Sequence, residues 1–132
     1  MALLLLALAL LVACAQTATE PARAPDPAVL AAGDPVRGGQ LFSRRCIACH
    51  ATNRSAGVGP GMAGLFAPGG PSRAPAADYG PNLPNGQPIN EANVALLIRT
   101  GVRGKAGYMP PSGLDDQQLA DLIAYLKTLS DP

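Results

Sequence analysis

Apolar positions recur with a helical period in three stretches of the chain. In the last of them, Leu119, Leu122, Ile123 and Leu126 follow the i, i+3, i+4, i+7 spacing of one helix face. Asp115 stands before it as a cap, and Gln118 three residues on completes a capping box. A helix is predicted from about Asp115 to Leu129, with Tyr125 bordering its apolar stripe. Upstream, Val94, Leu97 and Ile98 form a second stripe between a capping Asn90 and a terminating Gly101. This predicts a helix over Asn90–Thr100. A third helix is predicted from Asp34-Pro35, a cap followed by proline at the first helical position, to about Arg45. Gly38 and Phe42 lie four apart on it and share a face. The glycine allows another helix to approach closely, and the phenylalanine packs beside it.

Other stretches carry no such period. Residues 1–15 are a short apolar run, long enough for the hydrophobic region of an export signal and too short to span a bilayer. Leu11-Val12-Ala13-Cys14 reads as a lipoprotein signal that would leave Cys14 as a lipidated N-terminus. Ordinary cleavage beside Cys14 is the rival, and export is expected in both cases. Residues 16–32, rich in Ala, Pro and Thr, read as a flexible tether. The folded domain is then expected over residues 33–132. Within it, residues 67–88 hold six prolines and several glycines and read as a long irregular loop.

Composition narrows the picture. The chain has two Phe, three Tyr and no Trp among 132 residues. A core so small and poor in aromatics is hard to stabilise without a further apolar body to pack on. With 14% charged residues and a net charge of +1, the chain lacks the charge excess of a nucleic-acid-binding protein.

That further body is implied by Cys46-Ile47-Ala48-Cys49-His50, a C-x-x-C-H sequence. Two thiols three positions apart can each add across a vinyl group on one porphyrin edge, and the histidine that follows can then face the iron. Cys46 and Cys49 are the expected thioether anchors of a covalent haem, and His50 the proximal axial ligand. A zinc site needs four ligands. Outside this stretch the chain offers only Cys14 and no other His. A redox C-x-x-C of the thioredoxin type calls for a βαβ setting that is not visible. After His50 comes a glycine-rich loop, Gly57 to Phe66. A carbonyl there could accept the second ring N–H of the histidine and orient it.

Met109, in Gly107-Tyr108-Met109-Pro110-Pro111, is the expected sixth ligand, because a thioether is a soft ligand for low-spin iron and the prolines can hold its loop. Met62 falls 12 residues after His50, in a loop expected to stay on the proximal side.

Taken in order, these motifs resemble class I cytochrome c, close to small bacterial members of the Met-Pro-Pro subtype, over about Gly33 to Leu129. Gly38, Phe42, Cys46, Cys49 and His50 keep the order and spacing of that family. Gly59-Pro60 resembles its Gly-Pro, which implies that the Pro60 carbonyl accepts the histidine N–H. Gly64-Leu65-Phe66 also follows it, and Ala120 to Lys127 resembles its last helix. The resemblance implies an all-α fold of three main helices around one haem c, with the first and last crossing at Gly38. Phe42, Leu65, Tyr108 and Tyr125 are expected to contact the haem. It implies a single-electron carrier and not an enzyme. Such a carrier is expected to be an exported, periplasmic monomer that meets membrane oxidases or dehydrogenases, held to the membrane where Cys14 is lipidated. The alternatives are a haem subunit working only inside a dehydrogenase or oxidase complex, and a gas-binding sensor. The chain departs from the family in lacking a tryptophan near a haem propionate and in its middle loop.

Overall fold

A computed structural model of the chain describes residues 21–71 and 79–129. The expected signal segment, including Cys14, lies outside the described residues, as does the centre of the 67–88 loop. The described residues form four helices and one small hairpin: α1 Pro27–Ala31, α2 Pro35–Arg45, α3 Glu91–Thr100, β1 Val102–Gly104, β2 Gly107–Met109 and α4 Asp116–Thr128.

The three predicted helices form where their caps place them. Asp34 accepts from the Val36 and Arg37 amides. Asn90 accepts from the Asn93 amide at 2.8 Å. The capping box of Asp115 and Gln118 closes in both directions. Gly101 ends α3 with φ of 70°, a left-handed backbone suited to glycine.

One expectation is corrected. The stretch 16–32 is not a tether throughout, because Pro27–Ala31 is a helical turn capped by Asp26, with Leu30 buried and Val29 packed on the core. The folded unit therefore already includes Arg23, whose carbonyl accepts from Arg99 Nη1 at 2.7 Å, and buried Pro25, and does not begin at Gly33. Burial of Leu30 gives this short turn the tertiary support that a five-residue helix lacks alone. The expected plan of three main helices stands, and one of its connections forms the small antiparallel β1–β2 hairpin, in register Val102↔Met109, Arg103↔Tyr108 and Gly104↔Gly107.

Crossing of α2 and α4 organises the core. A Cβ on Gly38 would fall inside the shell of the Asp121 carbonyl and 2.8 Å from the Tyr125 Cβ. The two backbones therefore touch at the expected glycine. Phe42, one turn on, is 2% exposed, and its ring centroid lies 5.5 Å from that of Tyr125 at a tilted angle. Leu119, Leu122 and Ile123 are the largest fully buried side chains. Leu65, Met62, Val94, Leu97 and Leu114 complete the same core. The 79–88 part of the middle loop is anchored in it by Leu83, which is buried and whose amide donates to the Gln87 carbonyl at 2.8 Å.

Candidate functional site

The site grows directly out of the C-terminal end of α2. The Cys46 amide donates to the Phe42 carbonyl at 2.8 Å, continuing the helix past Arg45. The Cys49 and His50 amides then donate to the Cys46 carbonyl at 3.0 and 2.9 Å. Cys46 and Cys49 thus stand one helical turn apart on a common side. Cys46 is half-buried and Cys49 exposed. Burial pushes the Cys46 thiol up from its ordinary value, with Arg45 opposing and Cys49 reinforcing that rise.

His50 is fixed by the loop that follows. Its Nδ1 lies 3.0 Å from the Pro60 carbonyl oxygen. A carbonyl only accepts, so Nδ1 bears a proton, and in the neutral ring the lone pair is then on Nε2. The loop closes through the Gly59 amide to the Cys49 carbonyl at 2.9 Å and the Met62 amide to the Ala51 carbonyl at 2.8 Å. Gly59 lies directly against the imidazole. A Cβ there would come 2.6 Å from Nδ1 and 2.9 Å from Nε2, so any larger residue displaces the ring.

Beside these groups is an open cleft of about 390 Å³ whose lining includes Ile47, Cys49, His50 and Val58. Ile47 is 56% and Val58 72% exposed. The lining is mixed, with Thr52, Asn53 and Ser55 beside the apolar Ile47, Ala48 and Val58, and it includes Cys49 but neither Cys46 nor Met109.

Met109 ends β2, half-buried and packed on the core. Val102 is its partner across the hairpin. Arg45, next to Cys46, donates from Nη1 to the Ser112 carbonyl at 3.1 Å. This ties the segment after Met109 to the end of α2, a contact that the sequence did not disclose. Met62 is fully within the core. Phe42 and Leu65 are buried in that same core, and Tyr125 and Cys46 pack on it. Tyr108 stands apart from this group. It is 56% exposed and one face of its ring is covered by the Arg103 guanidinium at 4.8 Å.

Sequence reasoning also missed an ionic cluster behind the site. Asp121, only 5% exposed, accepts from Arg37 Nε at 2.7 Å, Arg37 Nη2 at 2.9 Å, the Asp34 amide at 2.8 Å and Gln117 at 2.9 Å. The Arg37 guanidinium holds its carboxyl down at about 2, against the opposing cost of burial. Arg37 is correspondingly raised, first by its bond to Asp121.

A family model described as cytochrome c matches residues 35–130. The chain belongs to the cytochrome c family. It is also 31% identical over 114 residues to a cytochrome c of Theileria annulata, an alignment covering 80% of this chain and 96% of that protein. The family establishes a class I c-type cytochrome: an electron-transfer protein, not an enzyme, with covalently bound haem c.

The residues present fit that group. Cys46 and Cys49 stand one turn apart, the Nδ1 of the imidazole that follows is engaged by Pro60 so that Nε2 is left to ligate, and apolar Ile47 stands exposed between the two cysteines. The zinc alternative lacks donors, since no group of three or more His, Cys, Asp and Glu able to hold a metal ion occurs among the described residues.

Proposed function

We propose that this cytochrome is a single-electron carrier with His50 and Met109 as the two axial iron ligands and Cys46 and Cys49 as the thioether anchors. The observation that carries the reading is the Pro60 carbonyl 3.0 Å from His50 Nδ1, which fixes the tautomer that ligates through Nε2. When bound, haem supplies a one-electron couple between Fe(II) and Fe(III). The residues do the rest. His50 is held against rotation by Pro60 and by the face of Gly59. Met109 offers a thioether from a hairpin packed on the core, and a methionine at that position raises the potential by favouring the reduced state. Phe42, Leu65 and Tyr125 furnish apolar walls that disfavour the additional charge of the oxidised state. Tyr108 joins them in this reading as a contact at the rim.

Were His50 and Met109 both to hold the iron, no coordination position would be left for a substrate. The test is Met109→Ala. It should retain the attached haem, lose the methionine–sulfur band at the red end of the oxidised spectrum, bind carbon monoxide readily and shift to a lower potential. An unchanged spectrum would remove Met109 from the iron.

The reading extends to location. A periplasmic monomer serving membrane oxidases or dehydrogenases fits the apolar run at 1–15, and lipidated Cys14 would hold it near such partners. Expressed in a bacterium, the full chain should sediment with membranes and carry acyl mass on Cys14, and Cys14→Ser should be lost from that fraction. Wild type recovered soluble and unacylated would reject the anchor.

A further inference from the structure

We infer that Tyr79 is a positioning residue for Met109, acting as a clasp on the tip of the hairpin that carries it. This rests on Met109 being the sixth ligand.

A two-stranded hairpin with three residues per strand is not stable by itself in water. It must be held from outside, and the two ends of this one are held differently. At the base, the backbone of Gly101 lies against that of Pro110 and Pro111. A Cβ on Gly101 would come 2.6 Å from the Pro111 nitrogen and 2.7 Å from the Pro110 carbonyl carbon. The Ser112 amide donates to the Ile98 carbonyl at 3.1 Å, and Arg45 holds the Ser112 carbonyl.

At the tip, Lys105 is exposed and Gly107 has φ of 143°, so the turn itself buries little. What meets it there is Tyr79. Its hydroxyl accepts from the Lys105 amide. The Lys105 ammonium lies over its ring, 5.0 Å from the centroid. Gly104 presses so closely on it that a Cβ would come 2.6 Å from the hydroxyl oxygen and 3.3 Å from Pro84. Three contacts thus converge on one turn.

Tyr79 has its own footing. It opens the segment that turns through the Asn82↔Pro88 bridge, and that segment is pinned to the core by Leu83. The line of support runs from the core through Leu83 and Tyr79 to the hairpin tip, and from there along β2 to Met109. Residues 79–88 of the middle loop, to which sequence reasoning assigned no role, become a brace for the ligand strand. Removing the hydroxyl should therefore free the strand on its own, without unfolding the domain. Loss of one hydrogen bond of ordinary net worth corresponds to about three- to tenfold more of the open state.

The experiment uses the haem-loaded protein and two variants that act from opposite sides. Tyr79→Phe keeps the ring and removes the acceptor. Gly104→Ala places a methyl group against the hydroxyl. Both should speed amide hydrogen exchange at Val102, Lys105 and Met109, and speed carbon monoxide binding to the reduced protein, by about three- to tenfold. Exchange in α2 and α4 should stay at the wild-type rate. Faster exchange with unchanged carbon monoxide binding would overturn the coupling to Met109. Unchanged exchange in both variants would overturn the clasp itself. Met109→Ala is the separate control. If its spectrum equals wild type, the ligand assignment fails and the positioning role falls with it. A normal loss of the sulfur band there, with inert Tyr79 and Gly104 variants, overturns the positioning role alone.

Discussion

Asp121→Asn isolates the charge that joins the two terminal helices. The carboxylate sits on α4, is almost fully buried, and takes four hydrogen bonds, three of them from α2 and its cap. Its pKa is lowered from 3.8 to about 2, first by Arg37. A shift of that size is worth about 2 kcal/mol at 1.36 kcal/mol per unit. The sign follows from linkage. The unfolded carboxyl binds a proton at higher pH than the folded one, so the stabilisation is fully present above about pH 4 and drains away as pH falls toward 2. Asparagine has nearly the same shape and keeps one acceptor oxygen, but it offers no charge and turns an NH₂ group toward the guanidinium. Arg37 is half in solvent and can be rehydrated, which holds the penalty below that of a deeply buried orphan charge. The expected loss at pH 7 is about 2–3 kcal/mol. Urea unfolding of wild type and variant should be compared in steps from pH 7 to pH 2. Acid effects on the remaining groups are common to both proteins and cancel in the difference. That difference should shrink to under about 1 kcal/mol at pH 2. A gap of constant size across the range would refute the electrostatic account and leave only a packing defect.

Gly38→Ala places a Cβ against the Asp121 carbonyl, so α2 and α4 must separate. A loss of about 1–3 kcal/mol is expected, and a wild-type thermal midpoint would show that the helices do not meet there. Gly59→Ala should leave the fold stable while tilting the His50 ring, since the new carbon would lie 2.6 Å from Nδ1. Its signature is a changed reduction potential and axial-ligand spectrum, and a potential equal to wild type would count against a role for the ring orientation.

What could be read in the sequence depended on how local the signal was. Asp34-Pro35, Asn90 and Asp115 with Gln118 each carry a helix start within a few residues, and α2, α3 and α4 begin there. Asp26-Pro27 is the same signal as Asp34-Pro35 and starts a helix too. It was hidden because five residues are too few to display an apolar period. The hairpin escaped for the same reason, with strands of three residues. Cys46, Cys49 and His50 fall within one short stretch, so the C-x-x-C-H pattern stood out at once. Asp121 was not. It stands between Ala120 and Leu122 like any polar position on a helix, and the partner that does most to make its burial tolerable, Arg37, is 84 positions away. The contact of Tyr79 with Lys105 also spans the chain, over 26 positions, through a loop with no period of its own.

The haem-binding turn inherits its geometry from the helix crossing. Gly38 lets α2 lie directly on the α4 backbone, and at that separation Phe42 is buried beside Tyr125. The carbonyl of this same Phe42 receives the amides of Cys46 and Ile47, so the first thiol is placed by a residue that the crossing has already immobilised. Cys46 in turn receives the amides of Cys49 and His50. Each step is a backbone bond of ordinary length, and none depends on an exposed side chain. A displacement at Gly38 should therefore appear at His50, at the end of this relay through Phe42 and Cys46, as well as in the stability of the fold. This explains how a core with few aromatic residues can hold a ligand turn in place. The rigidity comes from two backbones in contact and from Asp121 closing the crossing on its polar side, more than from the bulk of the side chains.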